Sequence, residues 1–120
     1  MYKQLKAYKI AYELAMNIFE ITKSFPKEER YALTDQIRRS SRSVCANIAE
    51  GYRKRQYLKH FIAKLSDSDM ENSETQVWLD FSLSCEYINK NQHTEFVTKS
   101  IEVGRLIGYM IKNPNKFISK

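Results

Sequence analysis

Seven basic side chains between residues 38 and 59 have types and spacings suited to binding phosphate. Arg38 and Arg42 are four residues apart, and Arg39 and Arg42 are three apart, so a helix would group them on adjoining strips of one face. A guanidinium offers a planar fork of N–H donors that matches two phosphate oxygens. Tyr52 and Tyr57 could stack on unpaired bases nearby. We therefore predict a surface that binds RNA or DNA, whose members are Arg38, Arg39, Arg42, Arg53, Lys54, Arg55 and Lys59.

The same cations have a second interpretation, in which they pair with acidic side chains on neighbouring helices or subunits. An acidic stretch, "SDSDMENSE" (66–74), carries Asp67, Asp69, Glu71 and Glu74. Its residues lack the glycine and the ligand order of a calcium-binding loop, so a solvated or subunit-facing acidic surface is favoured over a cation site. In a ring of subunits this surface would meet the basic one, and the arginines would then serve assembly.

Small and polar side chains recur at spacings of four and three in the stretch "QIRRSSRSVCANIAEG" (36–51). Small side chains let two helix backbones approach closely, and a buried amide or carboxylate needs a hydrogen-bond partner. We predict a polar seam that fixes helix register or forms a subunit interface, with a ligand-binding or catalytic carboxylate at Glu50 as the alternative. The members of the seam are Gln36, Ser40, Ser43, Asn47, Glu50 and Gly51.

Other catalytic patterns are missing from the sequence. His60 and His93 are too few and too far apart for a metal centre, and no Glu-x-x-His pair marks a di-iron bundle. The chain has no nucleophile elbow and no glycine-rich phosphate loop. We expect a protein that is not an enzyme and that needs neither a metal nor another cofactor.

The composition is that of a soluble, basic protein. The 120 residues carry a formal net charge of +6, which is compatible with an anionic partner. Cys45 and Cys85 are the only cysteines, and we expect both to be small buried side chains in a reducing compartment. No apolar run is long enough to cross a membrane and no cleavage signal is present, so a cytoplasmic location is expected.

Apolar side chains at spacings of three and four divide the chain into four helical segments. On the second segment, for example, Leu33, Ile37, Ser41, Val44 and Ile48 form one stripe. "SFPKEE" (24–29) separates the first two segments, and the polar run "NKNQHT" (89–94) separates the last two. The predicted helices span about Tyr2–Ser24, Lys27–Lys54, Tyr57–Asn89 and Glu95–Lys112.

Only three glycines and two prolines occur, too few for the frequent turns of an all-β protein. Links of roughly 3–6 residues make consecutive helices antiparallel. The predicted fold is therefore all-α, an antiparallel up-down-up-down four-helix bundle that occupies residues 1–120 as one domain.

The stretch "LTDQIRRSSRSVCANIAEGYRKR" resembles a bacterial family whose members include proteins encoded in intervening sequences of 23S ribosomal RNA genes. The resemblance lies in Leu-x-x-Gln-Ile-Arg-Arg (33–39) and in Asn-Ile-Ala-Glu-Gly (47–51), with "SETQVWLD" (73–80) similar to a second conserved stretch. Val44-Cys45 stands where members often have Ile-Pro, and a usual Gly-Ser pair of the third helix is replaced near "SDSDMEN".

This resemblance implies a four-helix bundle and a ring-like homopentamer. It also implies kinship with the accessory protein of diversity-generating retroelements, which has a basic surface taken to contact nucleic acid. We thus expect a homo-oligomer that binds nucleic acid, or a protein that handles nucleic acid, through its basic surface. The alternative is an assembly scaffold whose charges serve subunit and protein contacts.

Overall fold

Four long helices run back and forth along an elongated body in the computed structural model, which describes residues 1–118. α2 packs against α1 and α3, α3 packs against α4, and α4 closes the circuit by packing against α1. The body measures 46 × 25 × 19 Å. This arrangement confirms the predicted up-down four-helix bundle. The helices are α1 Lys6–Thr22, α2 Leu33–Arg53, α3 Leu58–Ser84, α4 Lys90–Lys112 and a short α5 Asn115–Ile118, with 3-10 turns at Tyr2–Gln4 and Lys27–Glu29.

The helix ends differ from the sequence prediction at both polar links. α4 begins at Lys90 rather than Glu95, because Asn89 and Gln92 form a capping box. The Asn89 side chain accepts from the Gln92 amide at 2.8 Å, and the Gln92 side chain accepts from the Asn89 amide at 2.9 Å. α2 begins at Leu33 rather than Lys27, since Pro26 leads into a separate 3-10 turn. Residues 23–32 therefore form a longer link than expected.

α3 ends at Ser84, five residues before the predicted end at Asn89, because the chain leaves the helix through a left-handed residue. Glu86 has a φ of 63°. The Tyr87 amide donates to the Ser82 carbonyl and the Glu86 amide donates to the Leu83 carbonyl, both at 2.9 Å. These two bonds are those of a Schellman motif, in which glycine usually occupies the position of Glu86.

Two apolar clusters form the core, one toward each end of the bundle, and each draws side chains from all four long helices. The predicted stripe of α2 is buried at every position. One cluster contains Ala7, Ala11, Ala15, Val44, Cys45, Ile48, Phe61, Leu65, Val103, Ile107 and Met110. The other contains Leu14, Ile18, Phe25, Leu33, Ile37, Leu79, Ile88 and Phe96.

A buried polar layer separates the two clusters on α2, α3 and α4. The hydroxyls of Ser40 and Thr75 lie 2.8 Å apart, joining α2 to α3, and Ser68 donates to the Val44 carbonyl at 2.8 Å. Between α3 and α4, the Asn72 side chain donates to the Ser100 carbonyl at 2.8 Å and accepts from the Ser100 hydroxyl at 2.9 Å. Because each buried polar group has a specific partner on another helix, the layer fixes the register of these three helices.

The two cysteines have different environments. Cys45 is buried in the core as expected, and burial raises the pKa of its thiol to about 11. Cys85 is exposed at the end of α3, so the expectation that both would be buried is wrong. The reason is the early end of α3, which places Cys85 at the cap of the helix rather than within it.

Candidate nucleic-acid interface

Arg38, Arg42 and Arg53 lie on the face of α2 that points away from the core. At 100° per residue their directions fall within roughly 60° of one another, and at 1.5 Å per residue the strip is about 22 Å long. Arg42 and Arg53 are exposed, whereas Arg38 is half-buried. An open groove of about 420 Å³ runs beside the strip, and its lining includes Arg38, Arg39, Arg42 and one acid, Asp35.

Arg38 is held by the end of α1. Its Nε donates to the Thr22 hydroxyl at 2.8 Å, and its guanidinium lies 4.8 Å from the centre of the Phe19 ring. Its Nη2 also approaches the Phe19 carbonyl at 3.5 Å. These contacts place a cation at the negative end of the α1 dipole and tie α1 to α2. Arg38 therefore has a structural role in addition to any role in binding.

Arg39 and Arg55 also have partners within the chain. The Nη2 atom of Arg39 lies 3.2 Å from Oε2 of Glu74, an ion pair between α2 and α3. Glu74 accepts a second hydrogen bond, from the indole N–H of Trp78, at 3.1 Å. Arg55 folds onto Tyr52, with its guanidinium 4.1 Å from the ring centre and Nη1 donating to the Tyr52 carbonyl at 3.0 Å. Arg39 therefore fits the second interpretation, in which the cations pair with acidic side chains on neighbouring helices.

The remaining members of the predicted surface are exposed. Within the described range 1–118, no carboxylate lies within ion-pair distance of any of them. Lys54 lies 6.0 Å from the ring centre of Tyr57, which is itself 64% exposed. Tyr52, by contrast, is covered by Arg55 and offers less surface for stacking. The exposed cations are Arg42, Arg53, Lys54 and Lys59.

The predicted polar seam lies along the boundary between α2 and α3. Ser40 and Gly51 are buried. A Cβ atom at Gly51 would lie 3.1 Å from the Cβ of Lys64, so glycine allows the two helices to come close. Glu50 is exposed, and its Oε1 lies 2.9 Å from Nζ of Lys64, which raises the pKa of that lysine. An exposed, paired carboxylate of this kind has the geometry of a surface ion pair.

The other members of the seam are half-buried and have weaker partners. Asn47 donates to the Ser43 carbonyl of its own helix at 3.0 Å, and Gln36 accepts from Arg39 at 3.4 Å. On α3, the Oε1 atom of Glu71 is buried and has no partner among the described residues. The ion pairs Arg39–Glu74 and Glu50–Lys64 show how the antiparallel helices α2 and α3 are aligned. In this alignment Glu71 lies opposite the half-buried residues of the seam.

A row of tyrosines on α1 lies next to the basic strip, and the sequence analysis did not identify it. Tyr12 is 53% exposed. Its ring stacks on Tyr8 at 6.0 Å. A groove of about 470 Å³ separates these rings from α2, and Arg42 forms part of its wall. The available signal was the short side chains Ala46 and Ala49, which leave α2 open beside Tyr8 and Tyr12.

The grouping of side chains and the hydropathy of the helices bear on two other functions. Within residues 1–118, no three His, Cys, Asp or Glu side chains are grouped so that they could hold a metal ion. Among the helices described above, none is long and apolar enough to cross a membrane.

Comparisons with known proteins identify the family. The sequence model of the 23S rRNA-intervening sequence proteins matches residues 3–109. The fold is similar to the crystal structure of a protein of unknown function from the S23 ribosomal protein family of Bacteroides thetaiotaomicron, with 30% identity and a TM-score of 0.82. That match covers 93% of this chain and 99% of the other. A comparison with curated proteins finds no match. The chain belongs to the 23S rRNA-intervening sequence protein family.

Proposed function

We propose that this protein is a non-enzymatic, self-associating helical bundle that binds nucleic acid, free or within a nucleoprotein complex, through the outer face of α2. The observation that carries the proposal is the division among its cations. Arg38, Arg39 and Arg55 have partners within the chain. Of the seven cations predicted from the sequence, those left for an external anion are Arg42, Arg53, Lys54 and Lys59.

The groove between the α1 tyrosines and α2 favours a nucleic acid whose bases are unpaired, such as a single strand. Exposed aromatic rings stack on bases of any sequence, and nearby cations bind the phosphates that connect those bases. Tyr12 and Arg42 stand on opposite sides of one groove, and Lys3 and Lys9 line a second groove beside Tyr8 and Tyr12. Bases in the first groove would leave their phosphates within reach of Arg42.

Self-association is supported by the outer face of α3. Met70, Val77 and Phe81 follow one another at spacings of seven and four, so they lie on one strip of the helix. Their side chains are 71%, 47% and 54% exposed. Ser66, Ser73 and Ser84 share the strip and are also exposed. A partly apolar strip, bordered by Glu74 and Asp80, on a protein with a net charge of +6 is suited to contact with another subunit. The subunit number that we propose is five, on the resemblance alone.

The binding test reverses the charge at two exposed arginines of the basic strip on α2. Arg42→Glu with Arg53→Glu should abolish most binding to a pool of structured RNA and single-stranded DNA, while the oligomer persists. Each lost phosphate contact should reduce the slope of log affinity against log salt by about 0.7 for single-stranded DNA. The matched control is Lys90→Glu with Lys112→Glu, since Lys112 lies in the last turn of α4 as Arg53 lies in the last turn of α2.

Light scattering at two salt concentrations, with and without nucleic acid, measures both properties together. A mass that rises with nucleic acid and reverts in salt supports the proposal. Equal binding by the two double variants would show that affinity follows net charge alone and would contradict a site on α2.

The second candidate is an assembly scaffold whose partner is a protein. The ion pair between Arg39 and Glu74 favours it, because that pair shows how an arginine of the basic stretch meets the acidic stretch of α3. The scaffold predicts a stable oligomer that is indifferent to nucleic acid. Changing Val77 and Phe81 to lysine should dissociate the oligomer under either candidate, and only the first predicts that the dissociated subunits still bind nucleic acid.

A further inference from the structure

A pocket lies where α1 ends and α2 begins. The exposed arginines Arg42 and Arg53 lie farther along α2, toward its C-terminal end. Its volume is about 350 Å³, at the lower end of the range of roughly 300–1,000 Å³ typical of small-molecule sites. Phe25 and Pro26 supply its apolar wall. The polar lining residues are Thr22, Lys23, Lys27, Arg30, Thr34 and Arg38.

The lining of this pocket is strongly basic. Four cations contribute to it, and no carboxylate does. Acids do lie nearby. Glu20 pairs with one of these four cations, Lys23, at 3.2 Å, and Glu29 accepts from the Leu33 amide and the Tyr87 hydroxyl. The exposed acids Glu28 and Asp35 are sequence neighbours of Lys27 and Thr34. Lys27 and Arg30 are exposed and form no ion pair with any carboxylate of residues 1–118.

Thr34 is the second, independent sign of a ligand. Its side chain is only 7% exposed, and its hydroxyl has no hydrogen-bond partner in the described chain. Burying a hydroxyl without a partner costs free energy, so such groups in folded proteins call for an explanation. Thr34 lines the pocket, and a ligand oxygen would supply the missing partner once the atoms that cover the hydroxyl move aside.

Two features of the backbone and of Arg38 prepare the pocket for an anion. Thr34 lies in the first turn of α2, where the helix dipole favours negative charge. Of the amides at this helix start, that of Leu33 already donates to the Glu29 carboxylate, at 3.3 Å. Arg38 is already oriented by Thr22 at 2.8 Å, so little side-chain freedom would be lost when its remaining N–H groups bind a ligand.

We infer that this pocket binds a phosphoryl group, with Lys27, Arg30 and Arg38 around its oxygens and the Thr34 hydroxyl as an additional partner. The ligand can be free phosphate or a phosphate at the end of a nucleic-acid strand, since the two share this chemistry. The inference stands apart from the proposed function, because Lys27, Arg30 and Thr34 lie outside the surface formed by Arg42, Arg53, Lys54 and Lys59.

The test is calorimetric titration of the full-length protein at constant ionic strength, with three ligands. They are inorganic phosphate, a short single-stranded oligonucleotide with a 5′-phosphate, and the same oligonucleotide with a 5′-hydroxyl. Inorganic phosphate should bind to the unaltered protein. A stronger response to the 5′-phosphate than to the 5′-hydroxyl would identify a strand end as the source, and equal responses would identify free phosphate.

Two variants decide whether the pocket is the site. Lys27→Gln with Arg30→Gln should weaken phosphate binding at least tenfold, while the matched pair Lys90→Gln with Lys112→Gln should leave it unchanged. Thr34→Val keeps the shape of the side chain and removes the hydroxyl, so it should weaken binding several-fold without lowering the unfolding temperature. Absence of phosphate binding, or equal binding by the two double variants, would overturn the inference.

Discussion

Asn72 and Ser100 hydrogen-bond to each other in both directions across the boundary between α3 and α4. The amide of Asn72 donates to the Ser100 carbonyl at 2.8 Å, and the Ser100 hydroxyl donates to Oδ1 of Asn72 at 2.9 Å. The same hydroxyl accepts from Gln76 at 2.9 Å. Ser100 is therefore the point at which two side chains of α3 are satisfied by one residue of α4.

Ser100→Ala should lower the free energy of unfolding by about 1–3 kcal/mol, because it removes the hydroxyl that partners the buried Asn72 and the half-buried Gln76. Urea denaturation measures the loss. Thr98→Ala, at an exposed position of the same helix, is the control and should change stability by less than about 0.5 kcal/mol. Equal effects of the two substitutions would show that the polar layer contributes no specific stability.

Arg38→Lys should destabilise the protein by about 1–2 kcal/mol, because a lysine cannot both donate to Thr22 and stack on the ring of Phe19. Arg42→Lys is the matched control, since Arg42 lies farther from that ring, at 5.5 Å, and is exposed. Thermal unfolding followed by circular dichroism compares them. A stable Arg38→Lys protein would mean that the contact with α1 can be dispensed with.

Glu86→Gly should stabilise the protein by about 0.5–1 kcal/mol. The backbone of Glu86 is left-handed, with a φ of 63°, and glycine adopts this conformation without the steric cost that a Cβ imposes. Glu86→Ala keeps the Cβ and removes the rest of the side chain with its charge, so it should give little of this gain. Denaturation midpoints of the three proteins measure the difference, and equal stability of the two variants would contradict a conformational origin.

Stability should fall between about pH 10 and pH 12 through the contact of Tyr87 with Glu29. The hydrogen bond from Tyr87 to Glu29, at 2.9 Å, raises the pKa of the phenol from 10.0 to about 12. In this window the folded protein holds a proton that the unfolded chain has released, so the stabilisation is complete below pH 10 and disappears as the pH rises.

Tyr87→Phe isolates this effect from the titration of lysines in the same pH range. The variant should lose less stability than the unaltered protein between pH 10 and pH 12, as measured by urea denaturation at several pH values. Parallel pH profiles for the two proteins would contradict the assignment.

The two thiols should differ in their reaction with iodoacetamide. Cys85 is exposed and should react in the folded protein. Cys45 is buried, with the pKa of its thiol raised to about 11, so little reactive thiolate forms at neutral pH. Mass spectrometry should find one modified cysteine under native conditions and two in denaturant. Early modification of Cys45 would indicate that this part of the core opens readily.

The spacing of apolar residues predicts the bundle well, because the buried face of each helix depends only on local spacing. Leu33, Ile37, Val44 and Ile48 are buried as their spacing requires. The ends of α3 and α4 were harder to predict, because they depend on the capping box at Asn89 and on the left-handed Glu86 rather than on the apolar pattern.

The candidate site was predictable only as a set of residues that share a face. Spacing groups the arginines of α2, but it does not reveal which of them are engaged. Arg38 meets Thr22 and Arg39 meets Glu74, and both partners lie on other helices. Such contacts depend on how one helix packs against the next, which the spacing of residues within a single helix does not specify. The same applies to the pocket near Thr34, which exists only because the link after α1 folds back beside α2.

The polar layer also determines the handedness of the bundle. Four similar amphipathic helices could be arranged in a clockwise or an anticlockwise circuit. On α3, Ser68 and Thr75 point to one side and meet α2, whereas Asn72 and Gln76 point to the other and meet α4. In the opposite circuit α2 and α4 would exchange places, and these side chains would lose their partners. The layer therefore selects one chirality of the fold.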